Sequence, residues 1–247
     1  MKEKKFFFIA GAQRCGTSYL AHILEQHPDI RIAQPFFPEP KFFLKKQEYF
    51  KGREYYLSQY FAEAPSEKLL GEKSTSYIES REAAINIKGM FPKAKIVFSL
   101  RNPVERALSN YFFTKANNLE PRSLEEVFLE NKPIYFDPEQ FSVSPYDYLE
   151  RGRYIKYIKV YEEVFGKKSL HIAIFEKLVK EKEEWEKLFN FLEVLPTFPE
   201  HMNKKVHEGI IKEKPNPKVV EAITNYYQAS TKELANYLGQ DLSFWNL

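Results

Sequence analysis

Two stretches of this 247-residue chain combine residue types suited to holding anions. Gly11-Ala-Gln-Arg-Cys-Gly16-Thr17-Ser18 sets two glycines, one arginine and two hydroxyls between an apolar run, Phe6 to Ala10, and a helical pattern. Glycines let backbone N–H groups approach an anion, and a helix starting there adds its unpaired N-terminal donors. Gly11, Ala12, Gln13, Arg14, Cys15, Gly16, Thr17 and Ser18 are therefore candidate phosphate-binding residues, the alternative being an ordinary strand-to-helix turn. The second stretch begins where another apolar run, Ile96 to Leu100, ends in Arg101. Arg101 and Ser109, eight residues further along a helical pattern, can converge on one phosphate, the first through a forked charged bond and the second through a hydroxyl. Arg106 either helps there or forms a structural salt bridge.

A triphosphate-binding loop of the Walker A type needs lysine directly after its second glycine, and a partner strand ending in an acidic metal ligand. Here Thr17 stands in the lysine position and Arg101 in place of the acid. Two anion sites without an obvious metal point to a nucleotide phosphorylated at two separate positions. Two alternatives remain open: a P-loop kinase or triphosphatase using Glu72 as metal ligand, and a non-catalytic nucleotide- or glycan-binding module.

The elements that must position these residues follow an alternating pattern. Short apolar runs at Phe6–Ala10, Leu69–Leu70, Ile96–Leu100 and Leu170–Phe175 read as strands, the second running into Gly71-Glu72-Lys73. Helical spacing marks Thr17–Gln26, Glu82–Met90, Val104–Asn117, Tyr154–Phe165 and Val179–Phe191, with one or two helices over Pro217–Leu238. Strands alternating with helices imply crossover connections and an α/β class with a central parallel β-sheet flanked by helices. Residues 1–247 read as a single domain. The proline-punctuated stretch around 120–150, irregular apart from a short helix at Leu124–Leu129, reads as a substrate-side insertion.

Composition limits the classes. Thirty-seven Lys and Arg against 34 Asp and Glu give a net charge of +3, too even for a protein that coats nucleic acid. The single cysteine makes neither an intramolecular disulfide nor a thiolate metal centre. The apolar run after Met1-Lys-Glu-Lys-Lys is too short for a signal peptide, and no stretch is apolar enough to span a membrane, so the expected location is cytoplasmic.

The motifs resemble those of sulfotransferases that use 3′-phosphoadenosine 5′-phosphosulfate (PAPS). Gly11 to Ser18 match that family's loop for the 5′-phosphosulfate, G-x-x-[KR]-x-G-T-[ST]. Arg101-Asn-Pro103-Val-Glu-Arg106-Ala-Leu-Ser109-Asn-Tyr111 match its 3′-phosphate segment, R-[DN]-P-x-x-R-x-x-S-x-[YF]. The resemblance implies a P-loop NTPase-like three-layer sandwich, PAPS as cofactor with adenosine 3′,5′-bisphosphate as product, and no metal.

Two further stretches resemble the carbohydrate-modifying, heparan sulfate glucosaminyl branch. Glu39-Pro-Lys-Phe-Phe43 is similar to its E-x-H-F-F segment, whose glutamate is the base, with Lys41 in place of the histidine. Gly71-Glu72-Lys73 resembles its E-K segment, whose lysine faces the transferring sulfo group, followed here by Ser74-Thr75-Ser76 in place of a proline-containing sequel. The implied chemistry is in-line transfer to an acceptor hydroxyl or amine, on a carbohydrate or else a small-molecule alcohol. Glu39 would be the base, and Lys73 and Arg14 would neutralise charge as the bond breaks. Lys204 and Lys205, in a late loop, are candidates to close over the cofactor. His201 and His207 in the same loop compete for the role of base, whereas His22, His27 and His171 read as packing or capping residues. Cys15 reads as a small loop filler.

Overall fold

The computed structural model describes residues 4–62, 68–137, 143–198 and 214–247. These form two compact units: the residues up to Leu100 together with 159–198, and residues 101–158 together with 214–247.

The first unit is built on five parallel strands in the order β2-β3-β1-β4-β5: β1 (Phe6–Gly11), β2 (Ile30–Ile32), β3 (Leu69–Lys73), β4 (Lys95–Leu100) and β5 (Leu170–Ile174). All six residues of β1 are buried, as expected for a central strand covered on both faces. Side chains alternate across the pleat. Phe7 and Ile9 join one cluster with Leu20 and Leu24 of helix α1 (Thr17–Glu25) and with Trp185, Leu188 and Leu192. Phe6 and Phe8 face the other way, with ring centroids 4.0 and 5.8 Å from Phe91. On that side lie two short helices, α2 (Lys46–Tyr49) and α3 (Gly52–Tyr60), and α4 (Arg81–Met90), whose first turn is capped by the Ser80 hydroxyl. The last turns of α7 (Tyr154–Phe165) cover β4 there, Tyr161 meeting Phe98 edge-on at 5.2 Å. The expected α/β class, with a parallel sheet between helical layers, is borne out.

The helix predicted over Val179–Phe191 forms as α9 (Lys182–Leu192), and an unforeseen short helix, α8 (Phe175–Leu178), precedes it where Phe175 read as strand. The indole N–H of Trp185 donates to the Leu178 carbonyl at 2.7 Å and ties the two together. Trp185, Leu188, Phe189 and Leu192 form the buried stripe of α9. Truncating Leu188 to alanine would cost about 2–5 kcal/mol. β2, α2 and α3 were not foreseen, and Gly71-Glu72-Lys73, expected after β3, complete it. Register then fixes the site: Lys73 pairs with Ile9, and the Ser74 amide donates to the Ile9 carbonyl at 3.2 Å. In a parallel sheet every strand ends on the same edge, so the Gly11 loop and Lys73 emerge side by side.

The second unit holds α5 (Pro103–Ala116), α6 (Leu124–Phe128), the first turn of α7, and α10 (Pro217–Leu238), a single helix of 22 residues. Val104, Leu108, Tyr111, Phe128, Tyr148, Ile223 and Tyr227 make its core. Beyond α6, the described residues up to Leu149 contain no helix or strand, matching the irregular stretch expected there. Among the described residues no helix is long and apolar enough to cross a membrane.

Candidate active site

The loop after β1 is fastened before any ligand arrives. The Ala12 amide donates to the Ser99 carbonyl at 2.9 Å, and the Ser99 hydroxyl donates to the Cys15 carbonyl at 2.5 Å, so β4 holds the loop at two points. Gly16 caps α1 with φ 73°, in the left-handed region, and no side chain caps the helix. The first-turn N–H groups of a nine-residue helix therefore face the loop without a protein acceptor from a cap. A Cβ at Gly16 would lie 2.1 Å from the Phe175 ring, and one at Gly11 would lie 2.7 Å from Ile78 and 3.1 Å from the Thr75 carbonyl. Glycine is required at both positions by close approach, and at Gly16 by backbone conformation as well. Gln13, Arg14 and Ser18 are half-buried around this cradle, while Ala12, Cys15 and Thr17 are buried. Cys15 lies within the loop's packing as expected of a filler, its thiol 3.7 Å from the Gln13 carbonyl.

Beside the loop, the structure brings Glu39 and Lys73 together. The Lys73 ammonium donates to Glu39 Oε1 at 3.0 Å, with the lysine side chain 2% exposed and the glutamate 14%. The amide of Thr75 donates to Glu39 Oε2 at 3.0 Å, and the Thr75 hydroxyl lies 3.0 and 3.2 Å from the two oxygens. Lys73 Nζ also sits 4.8 and 4.2 Å from the ring centroids of Phe36 and Phe37. Such rings stabilise a desolvated ammonium by about 2 kcal/mol. Because Thr75 also borders Gly11, the glycine loop and the carboxylate–ammonium pair share one segment, residues 73–75.

Glu72 lies under this pair, 1% exposed. Its two oxygens accept from the hydroxyls of Tyr56, Ser74 and Tyr77, each at 2.6 Å. Burial raises its pKa above the ordinary carboxylate value, with the three hydroxyls pulling back and the charge of Glu39 adding to the rise. The same burial lifts Tyr56 and Tyr77 well above the ordinary phenol. Enclosed and fully engaged by hydroxyls, Glu72 is badly placed as the metal ligand that a triphosphatase reading requires.

In the second unit, Arg101 precedes α5 and ion-pairs with Glu105 in its first turn. The Arg101 carbonyl accepts from the Tyr154 hydroxyl at 3.0 Å. Asn102 caps the helix, its side chain accepting from Val104 and Glu105 N–H, and Pro103 takes the first helical position. Ser109 is buried two turns along. Arg106 is fully buried, bonded to the Asn110 side chain at 3.2 Å and to the Tyr148 carbonyl. It is engaged inside the second unit through a carbonyl and an amide, so it serves the fold.

The remaining expectations divide. His27 is a structural residue, with Nε2 2.8 Å from the Leu195 carbonyl and Nδ1 accepting from the Asp29 amide at 3.0 Å. His171 packs on Phe191 at 5.2 Å, and burial lowers its pKa to about 4. His22 is exposed on α1. Lys204, Lys205, His201 and His207 lie outside the described residues. Thr75, Phe36 and Phe37 were not foreseen around the charge pair. Thr75 drew notice only as a departure from a motif, and a contact 36 residues distant in sequence leaves no local signature.

A family model described as the sulfotransferase domain matches residues 4–235. The chain is 28% identical over 200 residues to the bifunctional heparan sulfate N-deacetylase/N-sulfotransferase 1 of Caenorhabditis briggsae, a match covering 77% of this chain and 23% of that protein. It is 27% identical over 173 residues to the heparan sulfate glucosamine 3-O-sulfotransferase 3B1 of Mus musculus, covering 70% and 42% respectively. The match thus spans about a quarter to two-fifths of these relatives' length. Among solved structures, a sulfotransferase from Alicyclobacillus acidocaldarius superposes with a TM-score of 0.78 at 26% identity, covering 99% of this chain and 100% of that one.

Proposed function

The chain belongs to the sulfotransferase-domain family, and on that premise we propose that it moves a sulfo group from PAPS to a hydroxyl or amine of a carbohydrate acceptor, with Glu39 as general base. The observation that carries this reading is the Glu39–Lys73 pair at 3.0 Å, set at the end of β3 beside the glycine loop.

The residues present fit the cofactor. An uncapped helix start at Gly16 and the close-packed Gly11 suit the 5′-phosphosulfate, which Gly11 to Ser18 would hold; Arg101 and Ser109 would take the 3′-phosphate. When bound, PAPS supplies an activated sulfo group on a phosphate leaving group. Arg14 and Lys73 contribute fixed positive charge where negative charge grows during transfer. Lys73 is suited to this because its ammonium is already desolvated and oriented, by Glu39 on one side and by two aromatic rings on another. Glu39 is oriented by Thr75 and remains partly exposed, so an acceptor can reach its carboxylate and surrender a proton there. The proton ends on Glu39 and the acceptor oxygen or nitrogen gains the sulfo group.

Both curated relatives act, by their names, on heparan sulfate or its glucosamine, which supports an amino-sugar acceptor. Lys41, two residues after Glu39, stands where that branch of the family has a histidine, and a cation at that position would favour an acceptor bearing negative charge. Calorimetry tests the cofactor: adenosine 3′,5′-bisphosphate binds tightly with or without Mg²⁺, and ATP binds weakly. Magnesium-dependent ATP binding in its place would overturn the assignment. Labelled PAPS offered with desulfated glucosaminyl oligosaccharides, phenols and simple alcohols then identifies the acceptor, and label only on the last two would sink the carbohydrate reading.

A further inference from the structure

We propose that Glu72 is a positioning residue for the proposed base: by fixing the direction of two hydroxyl hydrogen bonds, it clamps the backbone that carries Glu39. The inference rests on the reading of Glu39 as base and adds a device beneath it.

Two amides just beyond Glu39 are bound to hydroxyls and not to backbone. Lys41 N–H donates to Ser74 Oγ at 2.9 Å, and Phe43 N–H donates to Tyr77 Oη at 3.2 Å. An amide can only donate, so both hydroxyl oxygens must accept, and their protons must go elsewhere. Both go to Glu72 Oε1, each at 2.6 Å. An ionised carboxylate only accepts, so it holds both hydroxyls in the one orientation that serves the amides. The relay runs from loop amide to hydroxyl to carboxylate, with Glu72 as its end point. Since Lys73 and Thr75 follow directly on Glu72 and grip the Glu39 carboxylate, one strand end holds both the side chain of Glu39 and the backbone after it. Lys41 itself has φ 50°, a conformation that needs such outside support.

Tyr56 supplies an internal control. Its hydroxyl meets the other oxygen, Glu72 Oε2, at 2.6 Å, equally short and equally buried, yet the Lys41 and Phe43 amides go to Ser74 and Tyr77 and not to it. Both phenol rings also pack on Phe43, at 5.4 Å for Tyr56 and 5.8 Å for Tyr77, and phenylalanine would keep those contacts.

The test compares Tyr77→Phe, Tyr56→Phe and Glu72→Leu, the last removing both acceptor oxygens where glutamine would keep the one that both hydroxyls use. The first readout is amide hydrogen exchange across residues 40–44 in the cofactor-free protein. Exchange at Phe43 should rise about tenfold in Tyr77→Phe and in Glu72→Leu, the loss of one buried hydrogen bond, and stay within about threefold in Tyr56→Phe. The second readout is sulfo transfer: kcat should fall about tenfold or more in Tyr77→Phe and Glu72→Leu while acceptor KM and adenosine 3′,5′-bisphosphate affinity hold within about threefold. Tyr56→Phe should lose as much stability as Tyr77→Phe yet keep its turnover. Equal effects of the two tyrosine variants on exchange and kcat would make the cluster merely structural and overturn the clamp, as would unchanged exchange in Glu72→Leu. If exchange responds as expected but Glu39→Gln keeps its turnover, the base assignment falls and the clamp's catalytic role falls with it, while the exchange result still establishes the clamp.

Discussion

Adding one methyl group at Gly16 isolates two costs that the structure allows to be separated. The first is conformational: alanine at φ 73° pays the left-handed penalty of about 1–2 kcal/mol. The second is steric, because the new Cβ would stand 2.1 Å from two carbons of the Phe175 ring, more than 1 Å inside ordinary contact. Phe175 is partly buried against Tyr19, with ring centroids 6.1 Å apart, and has limited room to yield; overpacking of this kind costs about 1–3 kcal/mol. Gly16→Ala should therefore lose about 2–5 kcal/mol in urea unfolding with an unchanged m-value. The steric share disappears when the ring is removed, so Gly16→Ala with Phe175→Ala should be less destabilised than the sum of the single changes by about 1–3 kcal/mol. Because the displaced segment carries the helix N–H groups that face the loop, affinity for adenosine 3′,5′-bisphosphate should fall by about tenfold or more. A loss below about 1 kcal/mol, or strict additivity in the double-mutant cycle, would show that Phe175 does not press on the loop and would refute this account.

Other expectations concern chemistry, binding and pH. Glu39→Gln should lower kcat by about 10²- to 10⁴-fold, the usual worth of a general base, with adenosine 3′,5′-bisphosphate affinity unchanged by calorimetry; intact turnover would remove Glu39 from the mechanism. Arg101→Ala should weaken that nucleotide by about 10- to 100-fold, one charged hydrogen bond, while circular dichroism shows the helix after Asn102 intact; unaltered affinity would dismiss the assigned 3′-phosphate site. His171 has a pKa near 4 in the fold against an ordinary 6.5, because burial disfavours its cation despite the nearby Glu184. Its neutral form thus contributes full stability above pH 6.5, and that contribution is lost as pH falls from 6.5 toward 4. By pH 5 the loss should be about 2 kcal/mol, and His171→Asn should remove that component from the pH dependence of urea unfolding; parallel wild-type and variant curves would contradict it.

The two segments proposed to bind anions were readable as a strand–loop–helix and a helix start because their signals are local. A strand, a glycine loop and a helix start occupy consecutive residues, and Arg101 to Ser109 lie within a few turns of one helix, so type and spacing carry the message. Glu39 and Lys73 were located by resemblance, but their contact was not legible, since 34 residues separate them and the pairing depends on the register of β3 against β1. Glu72 shows why such residues are misread. In sequence it is a carboxylate at a strand end, the usual mark of a metal ligand, and only the folded positions of Tyr56 and Tyr77 reveal that hydroxyls occupy it. β2 escaped notice because three residues are too few to show a period. α8 escaped notice because four residues are too few to show a period and Phe175 continues the apolar run of β5.

The segment from Arg101 to Ser109 mixes two kinds of constraint. Asn102 and Pro103 start the helix, and Arg106 is spent inside the second unit on the Tyr148 carbonyl. If Arg101 and Ser109 take the 3′-phosphate as proposed, a designer wishing to change the donor nucleotide would leave those three alone and randomise positions 101 and 109, a library of about 20 × 20 amino-acid choices. The converse applies to sequence mining: a relative without nucleotide binding would still retain the asparagine, the proline and the inner arginine for folding, so under the proposed assignment only the outer arginine and the serine report on the 3′-phosphate.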